Sequence, residues 1–317
     1  MASEFALIAA LRRRLPAASG EVLLGPGDDA ALVAPPLGQG QVLSTDTLVV
    51  GRHFPPGLPP ELLAWRALAV NLSDLAAMGA TPGPYLVALT APDLTEAWIE
   101  GFCDGLLGCT ARYAPSAQLV GGNLARGPLQ VSVTVTGWVP PGQALLRSGA
   151  RPGDRLFVSG RVGQGLAARQ ALGETALHPL GLVNCPVAFQ PYLMPAPRVA
   201  LGLALRGQAT AAIDISDGLA AELRHLAEAS GVSLKLEADA IPVQGDRIAA
   251  LQGGDDYELL FTLPAERSTP ERLAALARAG GVALSEIGQC EIGPPALQGL
   301  PDLPREGWDH FAGEAAP

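Results

Sequence analysis

Five aspartates in this sequence lie mostly where strands, helices or tight turns are predicted to end. They are Asp29, Asp46, Asp74, Asp214 and Asp217. Clusters of carboxylate oxygens suit hard cations such as Mg²⁺, whereas zinc and copper favour Cys and His sets that the sequence lacks. Because Mg²⁺ in proteins usually sits between carboxylates and substrate phosphates, these residues predict a nucleoside triphosphate site with several metal ions. The alternative, that they are unrelated turn and cap residues, stays open at this point.

The positive charge for such a site has to come from metal ions and arginine. Lys235 is the only lysine in the chain. The sequence can therefore form neither the GxxxxGK[ST] loop of P-loop enzymes nor the strand lysine of protein kinases. Arg147 is the natural candidate for a clamp on the phosphates.

Asp74 lies in the segment that the rest of the chain is predicted to surround. The apolar run from Leu62 to Met78 predicts a helix that is buried nearly all round. A carboxylate in such a helix is costly unless it is paired, hydrogen-bonded or bound to a metal. Asn71 lies three residues earlier and shares its face, while Gly79 and Pro82 predict a fixed helix end.

Other aspartates of the group are predicted within a strand, at a strand end and at the start of a helix. Residues 41–50 form a strand by composition, with the polar residues Ser44, Thr45 and Asp46 at its centre. In the second half, a strand ending near residue 213 delivers Asp214 to the start of a helix at 219–229. Asp217 could be no more than the N-cap of that helix.

Composition limits the class of protein. Hydrophobic residues make up 48% of the 317 residues and charged residues 16%, which indicates a well-buried globular chain of two ordinary domains. A Pro-Pro-Gly segment at 140–142 predicts the boundary, giving domains 1–140 and 141–317. The net charge of −10 argues against nucleic acid as a partner. No apolar stretch is long enough for a membrane span and no signal peptide is evident, so a cytoplasmic protein is expected. The four cysteines are expected to be reduced core residues.

Nine short motifs in chain order give the sequence a resemblance to a known family. They are GDDAAL, STDTLV, HF, NLSDLAAMGATP, GGN, RSGARPGD, DISDGL, GGDDYEL and WDHF. The chain resembles the thiamine-monophosphate kinases, part of a superfamily that includes aminoimidazole ribonucleotide synthetase and selenophosphate synthetase. The general layout is shared by the superfamily, whereas HF, GGDDYEL and WDHF resemble the thiamine enzymes in particular.

The resemblance implies an α/β (α+β) fold of two domains. The N-terminal domain would hold a mixed sheet with helices and would pair across a homodimer, and the C-terminal domain would be α/β. It also implies direct in-line transfer of the γ-phosphoryl group of ATP to thiamine monophosphate, giving thiamine diphosphate and ADP. No covalent intermediate is implied, and the Mg²⁺ ions and ATP would lie in the cleft between the domains.

The resemblance also implies site residues. The implied Mg²⁺ ligands are Asp29, Ser44, Thr45, Asp46, Asp74, Asn123, Asp214 and Asp217. The implied contacts to ATP are Gly122, Asn123, Arg147 and Ser216. The implied contacts to thiamine monophosphate are His53, Asp255 and Trp308.

Two residues depart from the family pattern, and two other functions stay open. Asn123 replaces an acidic residue, which predicts weaker binding of one Mg²⁺, and Asp255 replaces a glutamate, which shortens its reach. A sister enzyme that uses the same ATP site on another acceptor is the first alternative. A non-catalytic metal- or nucleotide-binding module, favoured only by Asn123, is the second.

Overall fold

The computed structural model describes residues 4–15, 18–26, 28–173, 175–303 and 307. Within these ranges the α-helices are α1 (Glu4–Arg14), α2 (Pro60–Ala77), α3 (Glu96–Tyr113), α4 (Gln164–Leu172), α5 (Gln190–Leu193), α6 (Val199–Leu205), α7 (Leu219–Ser230), α8 (Arg247–Gln252) and α9 (Pro270–Gly280). The strands are β1 (Val22–Leu24), β2 (Leu32–Val33), β3 (Gly40–Val49), β4 (Thr81–Ala91), β5 (Leu119–Arg126), β6 (Gln130–Val139), β7 (Arg155–Ser159), β8 (Ala211–Asp214), β9 (Ser233–Leu236), β10 (Leu259–Leu263), β11 (Leu284–Glu291) and β12 (Ala296–Gln298). Short 3₁₀ turns cover Ala238–Ala240 and Ala265–Arg267.

Two mixed sheets make up most of the molecule. The first has the strand order β3-β6-β4-β5, in which only the β4–β5 pair is parallel. The second has the order β12-β9-β11-β7-β10-β8, in which only the β12–β9 pair is parallel. Strands of the first sheet lie between residues 40 and 139, and those of the second lie between 155 and 298. This architecture confirms the predicted class of mixed helix and sheet.

Helix α2 is the central element, as the apolar run predicts. It begins after Pro59, its buried residues extend from Leu62 to Ala77, and Gly79 beyond its end has a positive φ of 62°. The helix packs against β3, β6 and α3 of the first half and against α6 and β8 of the second. Because it contacts both halves, its few polar side chains can reach residues from either sheet.

Several local predictions need correction. The N-cap of α7 is Gly218 rather than Asp217, so the simple cap explanation of Asp217 is wrong. The sequence places Asn123 at a strand end, but β5 continues past it to Arg126. The glycine before it has a structural reason, since a Cβ at Gly122 would lie 1.8 Å from the carbonyl oxygen of Val87 on β4.

The four cysteines lie in the core, as the composition predicts. All four cysteines are free and buried. Among the helices of the described residues, none combines the length and the hydrophobicity needed to cross a bilayer.

Candidate active site

A cavity of about 740 Å³ lies where β3, α2, α4, the end of β8 with the turn after it, and the 252–257 segment meet. Its lining includes most of the residues singled out from the sequence: Ser44, Asp46, His53, Asp74, Arg147, Asp214, Ser216, Asp217 and Asp255. Residues from positions 44 to 257 therefore converge on one space between the two sheets. Four of the five predicted aspartates lie in that group.

Asp74 and Asp46 are positioned by contacts between α2 and β3. The hydroxyl of Ser44 donates a hydrogen bond of 2.6 Å to Asp74 Oδ2. Asn71 is fully buried, and its Oδ1 accepts a hydrogen bond of 2.9 Å from the backbone N–H of Asp46. The second group of its amide, Nδ2, donates to the carbonyl of Ala67 at 2.8 Å. Asn71 and Asp74 thus use one face of the helix to hold the polar centre of the strand.

Asp214 and Asp217 enter the cavity from the second half of the chain. Asp214 ends β8, and its Oδ2 accepts a 2.7 Å hydrogen bond from Ser73 of α2. The buried carboxylate of Glu222 accepts hydrogen bonds from the Ser216 hydroxyl at 3.4 Å and from the Asp217 backbone N–H at 3.2 Å. Glu222 therefore orients the turn that presents Ser216 and Asp217.

The carboxyl groups at the centre of the cavity are difficult to ionise without a cation. Burial raises the pKa of Asp74 to about 6, the hydrogen bond from Ser44 opposes the shift, and the charge of Asp46 adds to it. Burial and then the charge of Asp74 raise the pKa of Asp214 to about 8. Because each carboxylate penalises the next, a positive ion between them would lower the cost of ionising both.

This donor set fits Mg²⁺ held jointly with a ligand. Among the described residues, no three Asp, Glu, His or Cys side chains come close enough to hold a metal ion by themselves. Mg²⁺ does not need such a cage, since it commonly binds one or two carboxylates and completes its octahedron with water and phosphate oxygens. The cavity therefore suits metal ions that arrive with a phosphate ligand.

The GGDDYEL segment closes the cavity beside the DISDGL segment. The backbone N–H of Asp255 donates to the carbonyl of Ser216 at 2.9 Å, and that of Tyr257 donates to the carbonyl of Ile215 at 2.8 Å. Glycine is required at 254, because a Cβ there would lie 2.3 Å from the Ser216 carbonyl oxygen. The pairing brings Asp255 into the same wall as the metal-site aspartates.

Asp255 and His53 lie in the cavity but have other partners. The carboxylate of Asp255 forms an ion pair with Arg66 and accepts a 3.1 Å hydrogen bond from the hydroxyl of Tyr257. The Nδ1 atom of His53 accepts a hydrogen bond of 3.0 Å from the backbone N–H of Val49. The charge of Asp255 is thus already balanced within the chain, which the sequence did not suggest.

The structure does not bring every predicted residue into the cavity lining. Asp29, Thr45, Gly122 and Asn123 lie outside it. Thr45 points to the opposite face of β3, where its hydroxyl contacts the carbonyl of Val133 and the hydroxyl of Thr134, each at 3.1 Å. Trp308 lies outside the described residues, although Gly307 next to it lines the cavity.

Arg66, Ser73 and Glu222 were not singled out from the sequence. Each is a buried polar residue within a helix that is otherwise apolar on its packed face. The reasoning that identified Asp74, that a buried polar group needs a partner, applies equally to all three. The sequence therefore already showed polar residues in segments predicted to be buried, and the structure was needed only to identify their partners.

The fold and the cavity define a protein of the AIR synthase related class. The model of the AIR synthase related protein N-terminal domain matches residues 27–139, and that of the C-terminal domain matches residues 141–294. Among the thiamine-monophosphate kinases, the one from Salmonella typhimurium is 41% identical over 98% of each chain. The chain belongs to the thiamine-monophosphate kinase family, which confirms the resemblance.

Solved structures extend this comparison to the fold. The thiamine-monophosphate kinase from Stenotrophomonas maltophilia K279a is 40% identical, with a TM-score of 0.82 over 94% of this chain and 97% of that one. The structure of AaThiL complexed with AMPPCP and TMP is 32% identical, with a TM-score of 0.73 over 97% of both chains.

Proposed function

We propose that this protein transfers the γ-phosphoryl group of ATP to the phosphate of thiamine monophosphate, producing thiamine diphosphate and ADP. The observation that carries the proposal is the cavity, in which carboxylates and arginine converge, in a chain 41% identical to a thiamine-monophosphate kinase over nearly its full length. A relative 32% identical to this chain has been solved with AMPPCP and TMP.

The donor end of the cavity is assigned to ATP and Mg²⁺. Asp46, Asp74, Asp214 and Asp217 would hold several Mg²⁺ ions, with Ser44 placing Asp74. Mg²⁺ supplies charge neutralisation for the phosphates as the bond to the γ-phosphorus breaks. Arg147 would contact the phosphates, and Ser216 would contact ATP at the turn after β8. Positioning and charge then account for the rate, without a covalent intermediate.

The acceptor end is assigned to thiamine monophosphate. His53 and Asp255 line the cavity there, and the backbone N–H of Asp255 donates to the Ser216 carbonyl of the DISDGL segment. Asp255 is paired with Arg66, so its contribution is an oriented acceptor oxygen rather than an unbalanced negative charge. Trp308, Asp29, Gly122 and Asn123 keep the roles implied by the family resemblance. Thr45 is assigned no side-chain role, because its hydroxyl lies on the opposite face of β3.

The proposal is tested by product analysis. Purified protein is incubated with ATP, Mg²⁺ and thiamine monophosphate, and thiamine diphosphate and ADP are quantified by chromatography. We expect equimolar products that require Mg²⁺. ATP turnover without thiamine diphosphate would point to a sister enzyme with another acceptor, and binding of ATP without any turnover would point to a non-catalytic module.

We also propose that the protein is a homodimer that pairs through the first sheet. The face of this sheet directed away from α2 exposes Leu43 by 63% and Leu86 by 43% of their surfaces. Polar pairs lie beside them, such as Thr47 with Ser132 at 2.7 Å. Light scattering is expected to give twice the chain mass of 32.5 kDa. A mass that stays at one chain over the whole concentration range would contradict the pairing.

A further inference from the structure

Arg66 is a charged residue at the centre of the apolar helix α2, and its side chain is almost fully enclosed. Its guanidinium donates hydrogen bonds to the carbonyl of His53 at 3.2 Å, to the carbonyl of Tyr192 and to the carboxylate of Asp255. It also lies over the ring of Tyr192, with 4.2 Å from Cζ to the ring centroid. A buried guanidinium is costly unless its donors are satisfied, and here three of them have partners on three different segments.

Two of those partners, His53 and Asp255, are the residues assigned to the acceptor end of the cavity. Asp255 and Tyr257 have positive φ angles of 71° and 53°, a conformation that is strained at a residue with a side chain. The ion pair of Arg66 with Asp255 and the Tyr257 hydroxyl bond to the same oxygen offset that strain. On the other side, Tyr192 donates its hydroxyl to the carbonyl of His53 at 3.0 Å, which reinforces the bond from Arg66.

Arg66 also links the acceptor end to the metal end of the cavity. Arg66 and Asp74 are eight residues apart on α2, a separation of about 12 Å along a helix axis. A buried helix is rigid, so it sets the distance between the groups that Arg66 holds and the carboxylate of Asp74. In-line phosphoryl transfer depends on that distance, because donor and acceptor have to approach within bonding reach.

We propose that Arg66 is a positioning residue for the acceptor, which holds Asp255 and His53 in register with the metal-site carboxylates. This inference rests on the proposed function. Arg66 lines the cavity, but its side chain is only 2% exposed. The proposal therefore assigns it no contact with the substrates, and its effect is transmitted through the two residues that it orients. Lysine at this position would keep the charge but would lose the planar fork that reaches three acceptors at once.

The test is steady-state kinetics of Arg66→Lys with thiamine monophosphate and ATP varied separately. We expect kcat/KM for thiamine monophosphate to fall by between about tenfold and a hundredfold. The KM for ATP should change less than about twofold, since a twofold change is well below 1 kcal/mol. Equal losses for both substrates, or unchanged kinetics for thiamine monophosphate, would overturn the proposal. If the wild-type protein forms no thiamine diphosphate, the proposed function fails instead.

Arg198 offers a matched control, because its partner Glu258 lies in the same GGDDYEL segment as Asp255, the partner of Arg66. Arg198 pairs with the buried carboxylate of Glu258, with 2.7 Å from Nε to Oε2, and neither residue lines the cavity. Arg198→Lys should lower the thermal midpoint while leaving the KM for thiamine monophosphate unchanged. A rise in that KM equal to the one in Arg66→Lys would show a general packing effect and would contradict a specific role for Arg66.

A milder variant keeps the proposal testable if Arg66→Lys does not fold. Tyr192→Phe removes the hydroxyl bond to His53, at a residue that is buried and outside the cavity lining. The loss of one hydrogen bond worth about 1 kcal/mol predicts a roughly fivefold rise in the KM for thiamine monophosphate. An unchanged KM in this variant would count against the positioning network.

Discussion

The hydroxyl of Ser73 on α2 donates a hydrogen bond of 2.7 Å to the carboxylate of Asp214 at the end of β8. The two residues are 141 positions apart. Helix α2 also packs against strands of the first sheet, whereas β8 is an edge strand of the second. Asp74, the next residue on the helix, accepts its hydrogen bond from Ser44 on β3. Two consecutive residues of one buried helix therefore bring a strand of each sheet to the same cavity.

Asp74→Asn should abolish the kinase activity without unfolding the protein. Asparagine has nearly the same shape, and its amide oxygen can still accept the hydrogen bond from Ser44, but it removes an anionic Mg²⁺ ligand. We expect kcat to fall by at least about a hundredfold, as for the loss of a single electrostatic stabiliser. The circular dichroism spectrum and the thermal midpoint should stay close to those of the wild type. Asp93→Asn, a change at an exposed acid, serves as the control, and a fully active Asp74→Asn protein would overturn the assignment.

Asp214 should make the stability of the metal-free protein depend on pH. Its pKa is raised to about 8 in the folded chain, whereas an unfolded aspartate titrates near 4. The folded state therefore keeps a proton that the unfolded state has lost, so the free energy of unfolding falls as the pH rises from about 4 to about 8. Asp214→Asn cannot ionise, and we expect a smaller fall together with greater stability than the wild type at pH 8.

These free energies are measured by denaturant unfolding in a chelator, at several pH values. Mg²⁺ should stabilise the wild type more at pH 8 than at pH 5, and it should have little effect on Asp214→Asn. Asp239→Asn, at an exposed acid, should follow the wild-type curve. Parallel pH curves for the wild type and Asp214→Asn would contradict the prediction.

Asn71→Leu should destabilise the protein and weaken activity together. The change removes the hydrogen bond between the buried Asn71 amide and the backbone N–H of Asp46, and the loss of such a bond costs about 0.5–1.5 kcal/mol. Thr110→Val is the matched control, because the hydroxyl of Thr110 only adds bonds to two helix carbonyls of α3. Urea unfolding should show a lower midpoint for Asn71→Leu at an unchanged slope. Equal midpoints for the two variants would mean that the Asn71 bond to β3 contributes nothing.

Asn123→Asp tests the departure from the family pattern. Restoring a carboxylate should lower the Mg²⁺ concentration that gives half-maximal activity, because an anion binds Mg²⁺ more strongly than a neutral amide oxygen. Asn184→Asp adds the same charge outside the cavity lining and controls for the general effect of charge. The Mg²⁺ activation curve is the measurement. A curve that does not move would agree with the exposed position of Asn123 on β5 and would remove it from the metal site.

Local patterns were sufficient for much of the fold. The long apolar run predicted α2, Gly79 predicted its end, and the composition of residues 41–50 predicted β3, because each depends on neighbours within a few residues. The short helix α8 and the short strand β12 were missed, since so few residues carry little periodic signal. The eight-residue strand β11 was missed as well. The domain boundary at residue 140, which the Pro-Pro-Gly segment predicts, stays a prediction.

The sequence by itself determined which residue types form the site. Aspartates, mostly near the ends of elements, indicated metal ligands, and the single lysine, which lies in no phosphate-binding motif, left arginine and metal ions to supply the positive charge. Only the tertiary structure decided their partners. The pairing of Arg66 with Asp255 joins positions 189 residues apart, and the bond from Ser73 to Asp214 joins α2 to a strand of the second sheet. Such contacts arise from how helices and sheets pack around α2, and no local pattern encodes them. A polar residue in a segment predicted to be buried indicates that a hydrogen-bonding partner is needed, but only the packing of the fold determines which residue that partner is.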